Sequence, residues 1–150
     1  MDKIVRRITR ITVLLVTVAA IMGCQRTSLI GELAGQWQIM EITYPDGLKI
    51  KVPQKYPQRY YCFYRHTAEL TYAGYEKTSK NMAVMHYDKP SLSLEFVYGL
   101  PDGYESWGIV LPEGQKPVAG TTINYHIEHQ TRENLVLVTD VGTHIILRKF

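Results

Sequence analysis

The chain has 150 residues, 17 basic and 14 acidic, and a formal net charge of +3. Lys3, Arg6, Arg7 and Arg10, with Asp2, all lie within the first 23 residues, so the remaining 127 carry 13 charges of each sign and no net charge. That leaves no basic stripe for a nucleic-acid partner, and 127 residues is the size of one domain.

The N-terminus has the layout of an export signal. A cationic start precedes an uncharged apolar run from Ile11 to Met22. The run is shorter than the roughly 20 residues that a spanning helix needs. It ends in Ile21-Met22-Gly23-Cys24, which resembles the bacterial lipobox: a branched apolar residue three before the cysteine, and a small one just before it. The resemblance implies cleavage after Gly23, a diacylglycerol on the Cys24 sulfur and acylation of the new N-terminus. Several acyl chains give stable anchoring where one does not. The expected division is therefore a signal peptide over 1–23, a lipid-anchored linker over 24–32 and a domain over 33–150. Gln25 is not the aspartate that holds some lipoproteins at the inner membrane, and Gln25-Arg26-Thr27-Ser28 is not an acidic surface-export patch. By that resemblance the expected location is the outer membrane, facing the periplasm.

Beyond the linker the chain reads as strands and turns. Eleven tyrosines and seven prolines, with many β-branched residues, argue against helices. Ser28 to Ala34 allows one short helical turn, ended by Gly35. The first strand is expected over 36–44, closed by Pro45-Asp46-Gly47, with 48–52 pairing back. Residues 53–58 form a loop punctuated by Pro53 and Pro57. Residues 59–66 and 67–75 are two strands or one long bent strand. Strands over 83–87 and 92–98 flank Asp88-Lys89-Pro90. The stretch 99–120, rich in Gly and Pro, is a long excursion of the kind that often carries binding function. Strands over 121–128, 134–139 and 143–150 end the chain, the last two joined by the hairpin signal Asp140-Val141-Gly142. Eight or nine short antiparallel strands suit an all-β closed barrel, which removes exposed edges.

Leu33-Ala34-Gly35-Gln36-Trp37 resembles the Gly-x-Trp lead into the first strand of lipocalin-like barrels. Arg148 on the last strand resembles the arginine that those barrels lay across the tryptophan. Residues 133–137 and 145–150 resemble the closing hairpin of small lipocalin-like bacterial lipoproteins. The resemblance implies a single antiparallel barrel of about eight strands, closed by pairing of first and last strands. Gly35, Trp37 and Arg148 would form its floor, with the guanidinium on the indole. The C-terminal helix and disulfides of larger lipocalins are absent from the sequence.

Alternation assigns faces. If Trp37 points inward, so does Ile39, while Met40 and Ile42 lie on the other parity unless a bulge intervenes. If Arg148 points inward, Ile146 does too, and Ile145 and Leu147 face out. Ile123, Tyr125 and Ile127 form one apolar, inward face. The segment around Tyr60 is aromatic on both parities, so its outer side needs a cover. Cys62, the cysteine left once Cys24 is acylated, lies inside this segment and reads as a buried, inert thiol.

Residues for chemistry are sparse. His126 and His129 face opposite sides of a strand, and zinc needs three or four ligands. Asp46, Asp102 and Asp140 stand at turns beside glycines. No Gly-x-Ser-x-Gly elbow, phosphate loop or Cys-x-x-Cys pair is present. The expectation is a protein that is not an enzyme, with no metal and no cofactor. Two function classes remain. One is an anchored barrel binding a small apolar or amphipathic ligand, lined by candidates Tyr61, Phe63, Tyr98, Trp107 and Tyr125. The other is a solid-cored module docking a partner protein of the cell envelope. Interior volume discriminates them: an open cavity of roughly a few hundred cubic ångströms favours the ligand, and a filled interior favours the partner.

Overall fold

A computed structural model describes residues 30–52 and 57–150. The export signal, Cys24, most of the linker and the centre of the proline loop lie outside the described residues.

The strands are β1 (Gly35–Thr43), β2 (Lys49–Lys51), β3 (Gln58–Phe63), β4 (Thr67–Ala73), β5 (Thr78–Asp88), β6 (Ser91–Phe96), β7 (Thr121–Gln130), β8 (Asn134–Thr139) and β9 (His144–Lys149). Every neighbouring pair is antiparallel, and β1 pairs with β9, so β1 and β3 to β9 close into an eight-stranded barrel. The short β2 lies outside that ring, paired only to the far end of β1. The two halves of the 59–75 stretch are separate strands, because the Tyr64–His66 turn reverses the chain. β5 is longer than its apolar centre suggested. Its first half alternates exposed polar and half-buried polar residues, so apolar periodicity could not mark it.

Turn chemistry matches the sequence. Asp46 Oδ1 accepts from the Leu48 amide at 2.9 Å, and Gly47 takes φ +86°, which a side chain would disfavour. The Asp140–Gly142 turn is closed by the Gly142 amide donating to Thr139 O at 2.8 Å.

Two bulges set the faces. The register between β1 and β9 shifts between Ile39 and Glu41, which makes Met40 the extra residue and returns Ile42 to the interior. β7 shifts likewise between Ile127 and His129. Trp37, Ile39, Ile123, Tyr125 and Ile127 are buried within the barrel as alternation predicts. The outer aromatic face of β3 is covered in part by the C-terminus, where Phe150 stands edge-on to Tyr60 with ring centroids 5.2 Å apart. Cys62 is buried on the same face, and burial pushes its thiol pKa up.

The last strand corrects one expectation. Arg148 points away from the barrel axis and Lys149 toward it; Ile145 and Leu147 are fully buried and Ile146 is exposed. The register is the reason. Trp37 stands directly opposite Lys149, and Gln38 opposite Arg148. Directly paired residues share a face. The Lys149 ammonium lies 4.4 Å from the centroid of the Trp37 ring and donates to Glu32 O at 3.2 Å and to Ala34 O. Arg148 reaches Gln38 Oε1 on the outside, at 3.4 Å. Beneath the indole, a 3-10 turn over Gly31–Leu33 closes the floor, and Trp37 Nε1 donates to Leu33 O at 2.8 Å. Gly35 takes φ +113° beside the Lys149 side chain.

Candidate functional site

At the end opposite Trp37, the 97–120 excursion folds back over the barrel. A 3-10 turn over Tyr104–Trp107 inserts Trp107, and Ile109 follows it into the core. Gly108 makes this possible. It takes φ +77°, and a Cβ there would meet Ile145 Cγ1 at 2.6 Å. The inserted segment is locked from within: Tyr61 donates its hydroxyl to Trp107 O at 3.0 Å, and the Tyr61 and Tyr125 hydroxyls lie 3.3 Å apart. The rings of Trp107 and Tyr125 both meet Tyr61 edge-on. Burial, and then the proximity of the two phenols, raises the Tyr61 pKa well above the usual range, and burial raises that of Tyr125.

The barrel below this network is filled by large side chains, among them Trp37, Tyr61, Phe63, Phe96, Leu70 and Leu94. The space that remains is at the mouth. A pocket of about 310 Å³ lies between the upper ends of β3, β4 and β5 and the excursion. Arg59, Tyr72, Ser79 and Asn81 line it from the strands, and Asp102, Ser106 and Trp107 from the excursion, with Lys77 at the rim. The four strand residues share the inward parity of Tyr61, Leu70 and Ala83, so alternation itself aims them into the mouth. Arg59 stands opposite Tyr72 in the ladder, its guanidinium carbon 5.4 Å from the ring centroid. Its Nε is buried without a hydrogen-bond partner among the described residues. Nearby, Tyr44 donates its hydroxyl to Glu105 O at 2.6 Å; burial and the Glu105 charge raise the Tyr44 pKa against the pull of Arg59.

The sequence candidates thus fall in different places. Tyr61, Phe63 and Tyr125 are core residues, Trp107 is both core and pocket wall, and Tyr98 is 88% exposed on the outside of the excursion. Tyr98 sits just past the end of β6, where alternation no longer directs it inward. Arg59, Tyr72, Ser79 and Asn81 were missed because a polar inward parity reads as a solvent face; only the pairing shows that it lines a mouth.

A larger hollow of about 760 Å³ opens beside β5, β6 and β7. Its side chains include His86, Ser93, Asn124 and His126, whose parity faces away from the core, so it is an external groove. Among the described residues, no group of three or more His, Cys, Asp or Glu is placed to hold a metal ion.

A closed antiparallel meander with a tryptophan-sealed floor and a loop-covered mouth defines a small barrel of the calycin type. The chain belongs to the Lipocalin-like domain family, which it matches over residues 17–150. It is similar in structure to a lipocalin-like protein from Bacteroides uniformis, with 23% identity, TM-score 0.60, and coverage of 80% of this chain and 100% of that one. It is also similar to an uncharacterized protein from Bacteroides eggerthii, with 20% identity, TM-score 0.57, and coverage of 79% and 99%. No curated protein matches the chain. Barrels of this fold are suited to binding a small apolar or amphipathic ligand.

Proposed function

We propose that the chain is an outer-membrane lipoprotein, held through acylated Cys24 on the periplasmic side, whose barrel binds a small amphipathic ligand at its mouth. The role is binding rather than catalysis. The observation that carries it is the pocket of about 310 Å³, walled by Trp107 and Tyr72 and set with Arg59, Ser79 and Asn81. A few polar groups converging on aromatic walls, at the mouth of a barrel, is the usual make-up of a ligand site. The anchor rests on the cationic start, the short apolar run and Ile21-Met22-Gly23-Cys24.

Native mass spectrometry of the protein from its own host tests the site. A small molecule retained by the wild type and lost in Asn81→Trp, which fills the pocket, is the expected result. Retention unaffected by that change would overturn the reading. For the anchor, Cys24→Ala should abolish partition into detergent with the membrane fraction, and unchanged partition would place the anchor elsewhere. Digestion of the domain by protease on intact cells would contradict the periplasmic orientation.

The second reading, docking of an envelope protein, draws on Val97, Tyr98 and Val118. These are exposed apolar residues on the same excursion, at a site where small-molecule contact is not needed. Tyr98→Ser with Val118→Ser would break such docking and leave the retained molecule in place.

A further inference from the structure

We propose that the mouth pocket takes a compact organic anion, its carboxylate or phosphate paired with Arg59; this deepens the reading of the mouth as the ligand site and depends on it. A guanidinium is charged at every physiological pH. Arg59 Nε is buried without a partner among the described residues and is too enclosed to receive a ligand atom, so an acid group in the pocket pairs with the Nη groups at the outer edge of the guanidinium. The ion pairs of the described residues, Lys49–Glu41, Lys80–Glu69, Arg132–Glu32 and His144–Glu128, all lie elsewhere, and none places a carboxylate within 4.0 Å of Arg59.

The geometry suits an anion in three further respects. Tyr72 underlies the guanidinium, which restricts its orientation before any ligand arrives. A planar fork so held presents parallel N–H groups to two oxygens of one acid group. The charged residues lining the pocket are Arg59, Lys77 and Asp102, a net single positive charge, with Glu105 flanking beyond Tyr44. Asp102 is exposed on the excursion, whereas Arg59 is half-buried in the wall, so the deeper charge is the positive one.

Size restricts the class. The pocket holds the space of roughly ten water molecules, taking about 30 Å³ for each. The Tyr61–Trp107–Tyr125 network closes the route down the barrel axis. A long acyl chain has no channel to occupy, while a small ring bearing one acid group fits between Tyr72 and Trp107. Ser79 and Asn81 provide hydrogen bonds for the remainder.

The test is a titration of the full-length protein, purified from its host and freed of retained molecules by extensive detergent exchange. Trp107 emission reports binding of benzoate, phenyl phosphate and the neutral benzamide. At least one anion should bind saturably and at least tenfold tighter than benzamide, and the two anion arms tell carboxylate from phosphate. Arg59→Gln should weaken the anion about tenfold or more and leave benzamide unchanged. Should Arg59→Gln fail to fold, Ser79→Asp leaves the Arg59–Tyr72 pair in place and puts a competing carboxylate in the pocket; it should weaken the anion to a similar degree. Benzamide binding as tightly as the anions, insensitivity to these substitutions, or no binding of either anion at millimolar concentration overturns the proposal. The mouth reading is judged separately. A neutral host molecule retained by the wild type and lost in Asn81→Trp would keep that reading and refute the anion.

Discussion

Replacing Lys149 with Met is the most direct perturbation of barrel closure. The ammonium contacts the Trp37 face at 4.4 Å and donates to the backbone oxygens of Glu32 and Ala34. It therefore ties the last strand, the first strand and the floor turn together. A partly desolvated cation–π contact contributes about 1–2 kcal/mol. Hydrogen bonds to a charged donor add up to about 1.5–3 kcal/mol. Against these stands desolvation of the ammonium, which holds the Lys149 pKa below the ordinary lysine value, with Glu32 opposing that shift. Methionine keeps the aliphatic packing but makes neither hydrogen bond, which the amine can make in either protonation state, so the net loss expected for Lys149→Met at pH 7 is about 2 kcal/mol. That corresponds to a fall in Tm of roughly 6–10 °C for a domain of this size. Arg148→Met, on the outer face, should change stability by less than about 1 kcal/mol. The assay is denaturant unfolding of residues 25–150, extended to a double-mutant cycle with Trp37→Phe. The cycle should show a coupling of about 1 kcal/mol. Strict additivity, or an Arg148→Met loss equal to that of Lys149→Met, would refute the assignment of the floor cation. The pH dependence carries a sign as well. The unfolded chain binds more protons at this lysine than the folded one between the lowered value and 10.5, so the group adds stability as pH rises through that window.

The buried phenols act the opposite way. Tyr61 and Tyr125 have raised pKa values when folded, so their contribution is intact below pH 10 and is lost above it, as the unfolded chain alone ionises. The loss should be about 1.4 kcal/mol per pH unit for each tyrosine, and Tyr125→Phe should flatten the decline of Tm measured from pH 9 to 11.5. Gly108→Ala should cost about 2–4 kcal/mol, since it adds positive-φ strain to a clash with the Ile145 side chain. Circular dichroism melts would measure it, and a loss under about 0.5 kcal/mol would show that the excursion does not need this close approach.

How much of this was legible in the sequence depended on pattern. Turn chemistry at Asp46-Gly47 and Asp140-Val141-Gly142 marked two hairpins, and the Ile123–Tyr125–Ile127 alternation marked an inward face; the structure has all three. The first and last strands pair as expected. Parity on β9 was not legible. Ile145-Ile146-Leu147 is apolar on both faces and Arg148-Lys149 is cationic on both, so neither hydropathy nor charge says which member of each pair turns inward. The pairing Trp37↔Lys149 settles it, and pairing is a long-range fact. The Met40 bulge was foreseeable only as a condition: without it Ile42 would be driven outward.

The mouth was illegible for a related physical reason, and that reason bears on function. A strand whose inward residues are Ser79 and Asn81 at one end and Ala83 and Met85 at the other has no single apolar face along its length. Read locally, its polar half is a solvated edge. In the closed barrel that half points inward beside Arg59 and Tyr72, above a core that Trp107 and Tyr61 seal. Polar side chains on an inward face are unfavourable for a barrel that only needs a solid core, because apolar residues there would extend the packing and avoid desolvating a guanidinium. A filled lower barrel with an apolar alternation that stops short of the mouth therefore gives the same strands two different linings. Stability resides in the lower half, where Leu70, Leu94 and Trp37 are buried. The upper half, where the apolar pattern gives way to Arg59, Ser79 and Asn81, is the part we propose for ligand recognition.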